Sequence, residues 1–287
     1  MKVCPSCSFR FEGMRWECPA CSYQPVIIEG YPSFAPDLAQ DNDGFDFESF
    51  SKLFLLEARN FWFCSRNKLI LFMIQKYFPT AKIFLEVGCG TAFVMQAVEK
   101  IFPNIICFAS EIYSEGLKYA SQRLTRTALF QMDARRIPFE EEFNLVGIFD
   151  VLEHIEEDEL VLHEIYRSLK AGGGIIITVP QHPWLWSQDD VYAKHKRRYT
   201  SANLISKLQK AGFNIIRVTS FVSLLLPLMV ISRFLSRSSK NYDPTREFRI
   251  SPLLNFCLEK ILDFERLLLK QGVCFPMGGS LLVVAHK

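Results

Sequence analysis

The segment Ile83-Phe84-Leu85-Glu86-Val87-Gly88-Cys89-Gly90-Thr91-Ala92 constrains the fold more than any other stretch of the chain. A mostly apolar run ends in two glycines one residue apart, and an amphipathic stretch, Phe93–Phe102, follows at once. A strand that turns straight into a helix needs glycine there, because the backbone bends sharply and a ligand lies against it with no Cβ between. Alone, such a turn fits a dinucleotide site or no site at all. The rest of the chain narrows the choice. Apolar runs at Ile105–Ser110, Ala128–Met132, Leu145–Phe149 and Gly174–Pro180 alternate with helical spacing, including Glu156–Lys170, stopped by Ala171-Gly172-Gly173. Asn214–Thr219 and Ser280–His286 add two more. This predicts an α/β fold: a Rossmann-like, seven-stranded, mostly parallel sheet with helices on both faces and ligands at the carboxyl ends of the strands.

Three of those strand ends carry acids. Glu111 lies 21 residues beyond Gly90, where a carboxylate can accept hydrogen bonds from ribose hydroxyls. Asp133 and Asp150 follow the next two strands. From Glu86 to Pro180 the chain resembles the class I S-adenosylmethionine (SAM)-dependent methyltransferases, and among them the ubiquinone-biosynthesis O-methyltransferase type. The likeness spans roughly Arg66 to Gly212, with the final strand at Ser280–His286. It implies SAM as cofactor: Glu86, Gly88 and Gly90 at its methionine portion, Glu111 at the ribose and Asp133 at the adenine amino group. Phe149 would flank the cofactor, Arg66 would contact it from upstream, and Asp150 would stand at the mouth of its cleft. One departure is Ala92, where a third glycine is usual; alanine tolerates helical angles at a helix start, so binding should survive. An NAD-binding α/β domain is the competing reading.

Methyl transfer from a sulfonium is an in-line displacement, so the protein chiefly aligns the partners and excludes water. A hydroxyl acceptor also needs a base or a metal to take or polarise its proton. Two clusters offer such groups, and the candidate catalytic residues are His154, His182 and His195. Asp150-Val151-Leu152-Glu153-His154 leaves the fourth strand; the resemblance implies a divalent cation at Asp150, Glu153 and His154, whereas the plain alternative is a polar helix start. Gln181–Ser187, Asp189-Asp190 and His195–Thr200 form the loop after the fifth strand. Trp184 and Trp186 could wall an acceptor or seal the sheet edge, Arg197 or Arg198 could pair with an anion, and Thr200 reads as the N-cap of a helix Ser201–Ala211.

Cys4-Pro5-Ser6-Cys7 and Cys18-Pro19-Ala20-Cys21 form a second unit. Each two-residue spacing aims both thiolates at one ion, so the pairs predict a closed, structural zinc site with Cys4, Cys7, Cys18 and Cys21 as ligands. Fortuitous pairs or a redox couple are the alternatives; the latter lacks its strand–helix context. The expected layout is a zinc ribbon over 1–30, a linker over 31–50 with the acidic Asp37–Asp46 stretch, and a methyltransferase domain over 51–287 with a helical insertion at 221–277.

Nine cysteines, five of them scattered singly, suit a reducing compartment, so the cytoplasm is expected. No apolar leader opens the sequence, and the longest apolar run, Phe221–Ile231, falls short of the about 20 residues that span a bilayer. Leu254, Cys257, Ile261, Phe264 and Leu268 recur as one apolar stripe in the insertion, and Arg233, Arg237 and Lys240 lie near its first part. A helical cap, a peripheral membrane contact at the cytoplasmic face that admits a lipid-linked substrate, and a dimer interface all fit. The leading functional expectation is O-methylation of a small-molecule or carrier- or lipid-linked acceptor, quinone-like, glycan or polyprenyl-linked. RNA methylation ranks lower, since the zinc segment carries only Lys2, Arg10 and Arg15 and the net charge is +2. A non-catalytic SAM-binding scaffold whose ribbon recruits a protein is the third reading.

Overall fold

The computed structural model describes residues 1–13, 15–40, 47–236 and 250–287. Asp41, Asp43, Asp46, Arg237 and Lys240 lie outside the described residues. In chain order come β1 (Lys2–Val3), β2 (Arg10–Phe11), β3 (Val26–Ile28), β4 (Tyr31–Ser33), α1 (Phe47–Leu56), α2 (Phe61–Tyr77), β5 (Ile83–Val87), α3 (Phe93–Ile101), β6 (Ile106–Glu111) and α4 (Ser114–Arg123). Then follow β7 (Ala128–Gln131), β8 (Phe143–Phe149), α5 (Asp158–Ser168), β9 (Leu169–Pro180), α6 (Gln188–Tyr192), α7 (Ser201–Lys210), β10 (Asn214–Phe221), α8 (Leu226–Ser236), α9 (Pro252–Lys270) and β11 (Ser280–His286).

The main sheet runs β10-β11-β9-β8-β5-β6-β7-β4-β3. Its parallel centre, β9-β8-β5-β6-β7, and the antiparallel β11 between β9 and β10 realise the seven expected strands of a Rossmann-like fold. Alternation of side chains sorts the core into two layers. Phe84, Leu145, Ile176, Leu282 and Val284 face the layer that holds α2, α3 and α9. Leu85, Val146, Ile148, Ile175, Ile177, Leu281 and Val283 face the layer of α5 and α7. Both faces are buried, which is why these strands read as continuous apolar runs. Chain order reverses between β5 and β8, so a crevice opens there at the strands' carboxyl ends.

Two boundaries differ from the sequence reading. Ala171-Gly172-Gly173 falls inside the irregular start of β9 instead of ending a helix; α5 stops at Ser168, and the pairing with β8 shifts register between Phe143 and Leu145. Tyr31–Ser33, within the span expected as linker, forms β4 and pairs parallel with β7, carrying β3 with it. Gln131 fixes this junction. Its Oε1 accepts from Ser33 Oγ (2.6 Å) and the Ala35 amide (3.0 Å), and its Nε2 donates to the carbonyls of Ala35 (2.8 Å) and Ile112 (2.9 Å). Among the described residues the sheet therefore has nine strands, the last two from the N-terminal module.

Candidate active site

All eight residues expected at the cofactor, Arg66, Glu86, Gly88, Gly90, Glu111, Asp133, Phe149 and Asp150, line one cavity of about 1200 Å³ at the β5/β8 crevice. Single small ligands usually occupy ~300–1,000 Å³, so this volume has room for a donor and an acceptor together. Gly88 and Gly90 both adopt left-handed backbone angles, φ 69° and 54°. A Cβ on Gly88 would strike the Val151 side chain at 2.5 Å, whereas one on Gly90 would point into open space. The first glycine lets the turn pack; the second leaves the floor of the cavity bare. Ala92 does not hold the helical angles expected of it. It caps α3 at φ 60°, ψ 33°, left-handed, which costs a side-chain-bearing residue about 1–2 kcal/mol.

Glu111 closes the turn from the far side. Its Oε2 accepts from the Gly90 amide (2.9 Å) and its Oε1 from the amides of Ile112 (2.8 Å) and Tyr113 (3.3 Å). Burial raises its carboxyl against these donors. Glu86 is buried at the end of β5, and among the described residues its Oε2 has no hydrogen-bond partner. Burial pushes this carboxyl up to about 8, only partly offset by the Arg66 guanidinium. An unpartnered buried carboxyl oxygen fits a ligand that brings an ammonium group. Arg66 lies over the Trp62 ring at 4.6 Å and forms an ion pair with Asp150, which also accepts from Thr178 Oγ1 (3.1 Å). Asp133 is held by Arg135 through both carboxylate oxygens, each 3.0 Å from Nε. Arg135 was not singled out from sequence, because its i+2 spacing carries no helical or strand signature.

A raised carboxyl has a pH consequence. The folded chain binds the Glu86 proton more tightly than the unfolded one, so the ligand-free fold loses stability as pH rises from 4.5 toward 8. A cation that requires Glu86 ionised must displace that proton. SAM affinity is therefore expected to climb with pH, at most about tenfold per unit, and to level off above about 8. Calorimetry across this range checks it. A flat profile in the native chain, indistinguishable from Glu86→Gln, would contradict the assignment.

Of the three candidate catalytic histidines, two line the cavity and one does not. His154 and His195 meet edge to face, ring centroids 4.7 Å apart. His182 is not among the lining residues; it stacks on Trp184 at 5.3 Å, ahead of a short turn. Burial lowers the His154 imidazole to about 3, with His195 adding to the effect, so it is neutral at physiological pH. His195 Nδ1 is 2.9 Å from Oδ1 of the buried Asp190, and its Nε2 is 3.9 Å from Glu153 Oε1. Burial alone would raise the Asp190 carboxyl, but hydrogen bonds from His195, Arg198 and the Ser187 amide outweigh it and hold it at about 2.

The cation site expected at Asp150, Glu153 and His154 is arranged otherwise. Asp150 is occupied by Arg66, and Glu153, His154 and His195 instead bring ligand atoms within 4.8 Å of one another. Among the described residues neither buried Glu153 oxygen has a hydrogen-bond partner, and burial followed by Asp150 raises its carboxyl well above the usual range. Neither arginine of the loop is left for an acceptor: Arg198 binds Asp190 (2.7 Å) and the Gln181 carbonyl (3.1 Å), and Arg197 binds Glu156 and Asp158, both at 2.9 Å. Trp184 and Trp186 stand outside the cavity lining. Thr200 does cap α7, accepting from the Asn203 amide (3.2 Å).

At the N-terminus the four cysteines converge. The Ser8 amide donates to the Cys4 carbonyl (2.9 Å) and the Ser22 amide to that of Cys18 (2.8 Å), two equivalent turns. Cys4 Sγ lies 3.6 Å from Cys21 Sγ, and Cys7 Sγ 3.6 Å from Cys18 Sγ. A tetrahedron with metal–sulfur bonds of about 2.3 Å separates its sulfurs by about 3.8 Å, so the positions fit zinc. The knuckle sits on the domain through Trp16, which meets Phe34 at 4.5 Å and Phe139 at 5.4 Å.

Residues 85–177 match the family described as methyltransferase domain. The chain is similar to malonyl-[acyl-carrier protein] O-methyltransferase of Priestia megaterium, 23% identical over 39% of this chain and 42% of that protein. It is 28% identical to ajmaline N-methyltransferase of Rauvolfia serpentina over 56% of each. It thus spans about half the length of the curated relatives it matches. In fold it resembles phosphoethanolamine N-methyltransferase 2 of Haemonchus contortus, solved with S-adenosyl-L-methionine, at a TM-score of 0.53 and 18% identity, over 77% of this chain and 52% of that one. The family match thus lies over the β5 turn and the cavity beside it, and the fold is shared with solved methyltransferases.

Proposed function

We propose that the chain transfers a methyl group from SAM to an oxygen of a small, carrier-linked or lipid-linked acceptor, with His195 as the base. The observation that carries this reading is the buried Asp190 carboxylate behind a cavity-lining imidazole. Glu86 and Arg66 would hold the methionine end, Glu111 the ribose and Asp133 the adenine. The cofactor, when bound, supplies an electrophilic methyl group on sulfur. His195 Nε2 takes the acceptor's hydroxyl proton while Asp190 keeps the other ring nitrogen protonated and the ring oriented. The acceptor oxygen then forms its bond to the methyl carbon as the sulfur–carbon bond breaks, and sulfur keeps the electron pair. His154, neutral and edge-on to His195, restricts the ring's rotation and keeps water from one side of it. The carrier-linked class gains support from the Priestia relative, whose name describes a carrier-protein acceptor.

Asp190→Asn is expected to lower the rate of label transfer from radioactive SAM by about 10²–10⁴-fold, the usual contribution of a positioned base, while SAM affinity stays unchanged. His195→Ala should match it. Normal turnover in both variants would remove this dyad from the chemistry. A second reading rests on the two unpartnered Glu153 oxygens: Glu153, His154 and His195 would hold a divalent cation that polarises the hydroxyl. Turnover that a chelator abolishes and Asp190→Asn leaves intact would favour this second reading.

A further inference from the structure

Helix α9 has two apolar faces. Leu258, Leu262 and Leu269 point into the domain. The opposite side presents Leu253, Phe256, Phe264 and Leu267, with exposures of 75%, 55%, 55% and 50%. Of the apolar stripe seen in the sequence, Cys257, Ile261 and Phe264 belong to this outward side, while Leu254 is exposed yet also lines the cavity and Leu268 is half-buried. A helix apolar on both faces is satisfied only when a second apolar medium covers it. Leu224, Leu228 and Ile231, at and before α8, continue the exposed surface, as do Val273 and Met277 after α9.

Charge is distributed unevenly over the same elements. Every acid on α9 turns toward the domain: Glu259 and Asp263 bind Lys68 (2.7 and 3.1 Å), and Glu265 accepts from the amides of Ser223 and Leu224, both at 2.8 Å. Helix α8 contains no acid, and 271–279 contains no charge of either sign. Lysines flank the apolar face instead. Lys260, its side chain 58% exposed, lies 5.2 Å over the Phe256 ring and 3.4 Å from Asp263 Oδ2, and Lys76 and Lys270 both lie over Phe72. Long lysine stems rising beside an apolar stripe, with Asp263 shared among Lys68, Lys260 and Arg266 and the other α9 carboxylates turned inward, complement an anionic interface.

The two helices also wall the cavity, through Leu228, Met229, Leu254 and Leu258. Leu228 and Leu254 are exposed as well, so the wall and the outer surface meet at its mouth. We propose that the outward faces of α8 and α9 seat this chain on an anionic lipid bilayer, with the cavity mouth at the interface, so that an amphiphilic acceptor enters without leaving the membrane surface. Among the described residues no helix is long and apolar enough to cross a membrane, so the contact is peripheral. The proposal rests on the methyltransferase reading only for what enters the cavity.

The test is co-sedimentation of the full chain with vesicles of phosphatidylcholine alone or mixed with phosphatidylglycerol. The native chain should pellet with the mixed vesicles and bind neutral ones at least about fivefold more weakly, the effect expected of one or more interfacial lysines. Lys260→Glu should lose about the same factor on mixed vesicles. Phe256→Glu with Phe264→Glu should weaken binding by about tenfold or more. SAM calorimetry on each variant should match the native chain; that result shows the fold is intact and separates loss of the surface from loss of the cofactor site. The proposal is overturned if the native chain stays in solution with both lipids. It is equally overturned if the patch instead holds a dimer, seen by sedimentation velocity, that Phe256→Glu dissolves.

Discussion

Removing zinc from the N-terminal knuckle is expected to unfold it, and to do so at a cost no other single treatment of this chain should match. Its own core consists of Cys4, Phe11 and Cys18, with Trp16 and Tyr23 partly buried against them. So few apolar residues cannot outweigh the entropy of ordering the segment. Structural zinc sites contribute about 10–16 kcal/mol of apparent binding free energy, which here would be folding energy. One equivalent of zinc per chain should be found by elemental analysis, and Cys18→Ser should abolish it. Chelation should quench the order around Trp16, whose indole meets Phe11 edge-on at 5.7 Å, and its fluorescence should shift to the red. The remainder of the domain should stay folded with a lower melting temperature, since β3 and β4 lose their anchor while the parallel centre keeps its own core. A metal-free chain with native fluorescence and melting would sink the zinc assignment.

Glu111→Ala is expected to weaken SAM binding by about a hundredfold or more. Two effects act together. The ribose would lose a charged acceptor, worth about 1.5–3 kcal/mol. The amides of Gly90, Ile112 and Tyr113 would lose theirs, and a glycine turn held from below by that carboxylate would relax. Glu111→Gln separates the two, because the amide oxygen can still accept from some of those donors while its NH₂ cannot accept at all. An intermediate loss for Gln with a preserved melting temperature is the expected pattern. Unchanged calorimetric affinity in the alanine variant would refute the ribose role.

The sequence revealed what local periodicity controls. Buried parallel strands appear as apolar runs, and the acids at their ends fall into one cavity because every parallel strand delivers its last residue to the same edge. Three things were hidden. Val26–Ile28 and Tyr31–Ser33 are too short to show a period, and their strand character comes from the free edge of β7. The orientation of α9 was illegible because apolar residues occur on both its faces; Leu258, Leu262 and Leu269 and Leu253, Phe256 and Phe264 each make a valid stripe. The pairing of Asp190 with His195 depends on a turn after α6 that returns the chain, with the His195 amide donating to the Asp190 carbonyl (2.9 Å). Spacing alone offered Asp189 equally. Arg197 and Arg198 looked available for a like reason: Asp158, the partner of Arg197, comes from distant α5, and Asp190 reaches Arg198 only through the same turn after α6.

The place of β11 has a kinetic consequence. It lies between β9 and β10, and β10 pairs only with it among the described strands. During synthesis β10 leaves the ribosome well before its partner, and α8 and α9 must be made and set aside before the gap can close. Until then one flank of β9 and all of β10 offer open edges to any neighbouring chain. Late zippering of Ser280–His286 into that slot is therefore the step at which nascent copies are most exposed to misassociation.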